Sequence, residues 1–261
     1  MTRILKTDNA FLLGTIGLCS FLALWTLLSL SGLVPRLFLP SPVEVAGRFI
    51  HLLSHRFADG TLLDHLWASM LRFAGGFGLA VLIGVPLGLL MGWFRLLDDI
   101  VTPLFDAVRF IAPIAWVPFA ALWFGTGIGG PIMIIFAGAF PPCLINAYRG
   151  AKFVDPRLIE AARMLGTPDL RMISEVLLPS AVPSIIAGLR ISAGLGWQSL
   201  VGAELIVAST GIGYMMVQGQ GNVSTTTVMS GMIGIGIIGL VIDIVLRGAE
   251  TAILRRRGLA T

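Results

Sequence analysis

Residues 160–179 read EAARMLGTPDLRMISEVLLP, the most polar run in a chain whose other long stretches are apolar. Asp155 has the chemistry of a helix N-cap with Pro156 at the first helical position, and twelve residues later Thr167 and Pro168 repeat the arrangement. Gly166 stands between the two starts as a helix terminator. The first helix, Pro156 to Leu165, is about 15 Å long and too short to be stable alone in water, so it must lean on something. Leu158, Ala161, Ala162 and Leu165 follow i, i+3, i+4, i+7 and predict one buried face, with Arg157, Glu160 and Arg163 on the other side. Two readings stay open on these residues. The unit is a connector packed on its own neighbours, or it docks a partner; paired caps supply the rigidity that a lever needs.

The surroundings place this unit in a membrane protein. Of 261 residues 56% are hydrophobic and 12% charged, and the mean hydropathy is +0.91, outside the soluble globular range. The 32 glycines fit helices that pack closely in lipid. Six segments approach the roughly 20 apolar residues a span requires: Ala10–Val34, Trp67–Phe94, Phe110–Phe124, Pro131–Tyr148, Ala181–Ala208 and Val228–Leu246. The first is read as a retained span, because no small-residue cleavage site follows a short apolar core. In the second, Gly84, Gly88 and Gly92 form a small-residue packing seam. The third and fourth are interrupted by Pro113, Pro118, Pro141 and Pro142, and broken spans must face other helices or a cavity.

Charge orders these spans. With the amino terminus inside, Arg3, Lys6, Arg95, Arg109, Arg149, Lys152, Arg157, Arg163, Arg171, Arg247 and Arg255–257 fall on the cytoplasmic side, against Arg36, Arg48 and Arg56 outside. Both termini and the 160–179 stretch are therefore expected in the cytoplasm. The basic residues lie at span ends, so topology explains them better than a nucleic-acid partner. Cys19 and Cys143 sit far apart in apolar segments, and His51, His55 and His65 are read as interfacial rather than as metal ligands. Without an internal repeat, a symmetric pore needs a second copy of the chain.

Within the fifth span Arg190, Trp197 and Glu204 recur every seven residues and form a nearly straight stripe. An ionised side chain at that depth faces a partner or a wet cavity. The stripe is the candidate translocation pathway, with Arg190 to meet an anion, Trp197 as wall and Glu204 near the outer mouth; fixing of helix packing by Arg190 is the other reading. Gly188, Ser192 and Gly196 offer a packing face on another side, and Asp106 and Arg109 are spaced to pair at the cytoplasmic interface. No GK[ST] loop is present, so any nucleotide chemistry must come from another polypeptide. An ion-coupled transporter needs deep carboxylates, for which Glu204 and Asp243 are the candidates, and a membrane enzyme needs a clustered acid, base or metal site that these segments do not offer.

Glu160-Ala161-Ala162, Gly166, Val176 and Leu178-Pro179 resemble, position by position, the EAA loop of the permease subunits of bacterial ABC importers. SPVEV, GVPLGLLMG, PIAWVPFAALWFG and the long stretch from Leu178 to Met215 are similar to the taurine, alkanesulfonate and nitrate permeases, a resemblance that runs from about His65 to the carboxyl terminus. It implies an all-α type I importer transmembrane domain with about six spans, divided into 1–64 (tail, first span, outer connection), 65–248 (transport domain, EAA loop 149–179) and 249–261 (basic tail). It further implies a non-enzymatic subunit of the bacterial inner membrane. Glu160, Ala161, Ala162, Arg163, Gly166 and Pro179 would dock an ATPase, and two ATPase subunits carry ATP and Mg. The remaining implied partners are a second copy, membrane lipid and a periplasmic or lipid-anchored binding protein that delivers taurine or a related sulfonate, with nitrate, bicarbonate or a thiamine precursor as alternatives.

Overall fold

The computed structural model describes residues 8–125 and 127–256, so Arg3, Lys6 and Arg257 of the charge count lie outside the described residues. Helices α1 (Asp8–Leu30) and α2 (Pro42–Ser54) are joined by the proline-rich turn, and Ser41 and Glu44 close a capping box that starts α2. A second box, Thr61 with Asp64, starts α3 (Leu62–Trp93). Next come α4 (Arg95–Val108), a 3-10 turn over Pro113–Trp116, and α5 (Val117–Phe124). The chain then forms α6 (Gly129–Lys152) and the short α7 (Pro156–Met164). A single turn, α8 (Asp169–Arg171), passes through a π turn at Met172–Leu177 into α9 (Leu178–Val207). Finally α10 (Ile212–Gly221) and α11 (Thr225–Arg256) complete the described residues.

Five helices are long and apolar enough to cross a membrane, and a sixth span arises if α4 and the Pro113–Phe124 segment, bent by 85°, are taken together. The third span therefore begins at Arg95 rather than Phe110, and its break falls at Arg109–Ala112. Pro113 opens the next turn, as a residue without an N–H must. Pro141 and Pro142, by contrast, do not interrupt α6, which runs through both. The second start in the loop also shifts: Pro168, not Thr167, occupies the N-cap of α8 and makes no side-chain cap bond.

Helix α6 lies between α3 and α9 at the centre of the bundle. The α3 glycine seam makes this possible. A Cβ at Gly88 would stand 2.5 Å from the Leu144 carbonyl, and Gly92 lies directly on Ala151. On the other side of α6, Gly188 rests on Asn146 and Gly196 on Ala139 and Ile135, so that small-residue face seats a helix of the same chain. Helix α1 is attached lightly, by Trp25 Nε1 donating to Pro40 O at 3.1 Å and Ser29 Oγ to Leu39 O at 3.0 Å.

Candidate functional site

Helix α7 is held rigidly at both ends. The Asp155 carboxylate accepts the Arg157 N–H at 3.0 Å. At the other end Gly166, with φ +74°, takes the left-handed conformation, so that its N–H reaches Arg163 O and the Thr167 N–H reaches Ala162 O. The predicted buried face does not form. Leu158 is exposed, Leu165 is 86% exposed and Met164 89%, and Phe153 and Leu170 extend the same apolar surface. The inward residues are instead Ile159 and Ile173, packed on Val154, Leu177 and Ala181, with Ala162 half-buried. Glu160 and Ala161 face outward, Arg163 lies over the Trp93 ring at 6.0 Å, and Pro179 is half-buried at the base of α9. The unit thus leans on its own bundle by one edge and presents a broad apolar surface outward.

The Arg190–Trp197–Glu204 stripe of α9 faces protein along its length. Arg190 Nε meets Asp243 Oδ1 at 2.8 Å, with Glu250 3.7 Å from Nη1 and Arg247 bonded to the second Asp243 oxygen. Trp197 is buried, donates to Ile235 O at 3.1 Å and meets Phe73 edge to face. Glu204, expected near the outer mouth, is 1% exposed. It receives Arg72 Nη1 and Ser69 Oγ at 2.8 Å and the Gly213 N–H at 3.0 Å. Arg72 also donates to Thr210 O at 2.6 Å, and Ser69 Oγ accepts from Ile212 N at 3.0 Å. This buried network ties α3, α9 and the turn before α10 together. The sequence reading omitted Arg72, although a charge inside an apolar span carried the same signal as Arg190.

His65 belongs to the same end: Nδ1 accepts from Gly211 N at 3.3 Å, which leaves Nε2 to donate to Phe57 O at 3.0 Å. His51 and His55 stack at 3.8 Å. Desolvation, then His55 and Arg48, lowers the His51 pKa below the ordinary imidazole value. Among the described residues no group of three His, Cys, Asp or Glu side chains is placed to hold a metal ion.

Roughly 100° around α9 from Trp197, a different face is open. Ile191, Leu195, Gln198 and Leu205 are exposed there, and beside them a cavity of about 350 Å³ is lined by Gln198, Ser199 and Gly202, by Ala137, Gly138, Pro141 and Pro142 of α6, and by Arg109 at the α4–α5 elbow. Arg109 does pair with Asp106, Nε to Oδ1 at 2.7 Å. Its place differs from the expected interface, because Pro141, which lines the same cavity, is the midpoint of α6. The broken span carries the charge inward.

A family model described as the binding-protein-dependent transport system inner membrane component matches residues 84–258. The chain belongs to this permease family. A probable ABC transporter permease of Brucella melitensis is 37% identical over 87% of this chain and 89% of its own length. The taurine transport system permease protein of Escherichia coli K12 is 34% identical, covering 91% and 86%. A bicarbonate transport system permease protein of Synechococcus elongatus is also 34% identical, covering 95% and 91%. In fold, the permease is similar to a chain of the MetNI methionine ABC transporter in an inward-facing conformation, with TM-score 0.63 and 22% identity over 74% of this chain and 95% of the other. It is an all-α membrane-spanning subunit of an ABC importer, a transport component and not an enzyme.

Proposed function

We propose that two copies of this permease enclose the pathway for a small organosulfonate, taurine foremost, and that α7 and its flanks are the coupling element on which a cytoplasmic ATPase docks. The observation that carries the reading is the outward apolar surface of a helix fixed at both ends and joined through the π turn to α9. A solvated connector gains nothing by exposing Leu165 and Met164, whereas burial of such side chains under a partner contributes about 1.5–3 kcal/mol each. Glu160 would meet the ATPase surface, Ala161 and Ala162 permit close approach, Arg163 holds α7 on Trp93, Gly166 makes the turn, and Pro179 starts the helix that receives the motion. ATP and Mg belong to the ATPase, and a binding protein outside delivers the solute.

The α7 end is assigned to the cytoplasm, with both termini, because Arg95, Arg149, Lys152, Arg157, Arg163, Arg171, Arg247 and Arg255 gather there, while Arg36, Arg48 and Arg56 lie in the connections at the other end. Removing Arg109 from the count leaves that balance unchanged. The transport unit is residues 65–248, flanked by the 1–64 segment and the 249–261 tail. The taurine and bicarbonate relatives are equally identical to this chain, so the sulfonate reading rests on the sequence resemblance, and the ligand set of the binding protein decides between the two. An ion-coupled mechanism is disfavoured by pairing: Glu204 and Asp243, its two deep carboxylates, are both held by arginines.

The test is ATP hydrolysis by the permease co-purified with its ATPase, with and without binding protein and taurine. Wild type is expected to respond to the loaded binding protein, and Glu160→Lys and Gly166→Pro to assemble poorly or lose the response, since proline cannot adopt the positive φ at residue 166. Normal assembly and response in both variants would reduce the loop to a connector. Uptake that survives ATP depletion would replace the importer reading with ion coupling.

A further inference from the structure

The cavity at the α4–α5 elbow combines three polar features at the depth where an apolar span should offer none. First is Arg109. Its guanidinium meets Asp106 through Nε and lies over the Phe110 ring at 4.5 Å, and its side chain is still 35% exposed. A guanidinium has five N–H donors in a fork, so the pair with Asp106 leaves the terminal amino groups for another acceptor. Second are two carbonyls. Pro141 and Pro142 carry no N–H, so Ala137 and Gly138, four residues earlier on α6, lose their helical donors, and both residues line the cavity. Backbone freed at this depth is tolerated where it borders a wet space. Third is Gln198, an exposed amide on a face that otherwise shows Ile191, Leu195 and Leu205. Against lipid that amide would be unsatisfied.

The donors and acceptors stand on different walls, Arg109 on the elbow and the freed carbonyls on α6. We infer that this cavity is a passage site for a small zwitterion: its sulfonate rests on Arg109, its ammonium on the Ala137 and Gly138 carbonyl oxygens, and the Gln198 amide serves whichever end is nearer. The inference rests on the importer reading and adds to it a discrimination for the amine as well as the acid. The adjoining cavity of about 340 Å³, lined by Leu104, Phe105, Trp116 and Phe136 among others, is apolar apart from its share of Arg109 and does not suit such a ligand. Asp106 keeps the hold on the sulfonate weak, as a site that must release its solute requires.

The experiment follows the thermal unfolding midpoint of the purified permease–ATPase complex in taurine, ethanesulfonate or ethylammonium chloride at matched ionic strength. Taurine is expected to raise the midpoint more than ethanesulfonate, and ethylammonium to leave it unchanged. Arg109→Gln is expected to abolish both shifts. Pro141→Ala returns an N–H to the Ala137 carbonyl without removing a charge; it is expected to keep the ethanesulfonate shift and reduce the taurine shift towards it. Equal shifts for taurine and ethanesulfonate in wild type, no shift in wild type, or a taurine shift that survives Arg109→Gln or is untouched by Pro141→Ala each overturn the inference. Pro141→Ala decides the matter if Arg109→Gln does not assemble. Loss of the ATPase response to loaded binding protein in wild type would sink the importer reading alone, because the ligand shifts do not depend on hydrolysis.

Discussion

Arg72 and Glu204 show how a single pair can hold the far end of the bundle. Both are almost fully buried, and each finds further partners: Ser69 and the Gly213 N–H for the carboxylate, Thr210 for the guanidinium. Gly211, at φ +110°, passes so close that a Cβ there would collide with Glu204 and Arg72. Removing one charge leaves the other unpaired, so Arg72→Met is expected to cost about 3–5 kcal/mol, while Arg72→Met with Glu204→Gln recovers part of the loss because an amide oxygen still accepts from Ser69 and Gly213. Thermal unfolding in detergent measures both. Additive losses would show that the two side chains act independently.

At the scale of elements, close approach of α3, α6 and α9 decides the architecture, and glycine position decides the approach. Gly88 and Gly78 lie on the same helix, yet a Cβ at Gly88 meets the α6 backbone at Leu144 and Tyr148, whereas at Gly78 it meets nothing within 4 Å. Gly88→Ala is expected to lower the unfolding midpoint by forcing α6 away. Gly78→Ala is expected to leave it unchanged or raise it, since alanine favours the helix by about 1 kcal/mol. The same comparison explains why the 84–88–92 seam was legible in the sequence: regular four-residue spacing marks one face. The course of α6 through Pro141 and Pro142 was not legible, because proline signals a lost hydrogen bond but not whether neighbouring helices hold the segment straight.

For the whole molecule, the apolar surface around α7 is a departure from a self-sufficient fold. Leu165→Asp is expected to leave the unfolding midpoint of the permease alone unchanged, since the side chain is 86% exposed, and to weaken ATPase association roughly tenfold to hundredfold. Titration of the ATPase onto immobilised permease reads both the affinity and its salt dependence. Unchanged affinity would move the docking surface elsewhere. Further along the bundle, the open face of α9 and the elbow cavity form a second unfilled surface, where a second copy would complete the wall.

The sequence by itself determined the membrane class, the approximate place of each long span, the glycine seam, the stop at Gly166 and the EAA spacing, because each is local: apolar length, four-residue periodicity, a cap or a positive φ. Tertiary structure alone decided which way the marked residues face. Seven-residue spacing aligned Arg190, Trp197 and Glu204, but only packing showed that α11 and α3 supply the stripe with Asp243, Ile235 and Arg72. Apolar periodicity in α7 predicted a buried face, which the single chain leaves exposed. Arg109 was placed at an interface by its distance from a span, and the 85° elbow carries it to mid-helix depth. A one-dimensional pattern fixes spacing along an axis; the direction of that axis, and what stands opposite, comes from helices far apart in the chain.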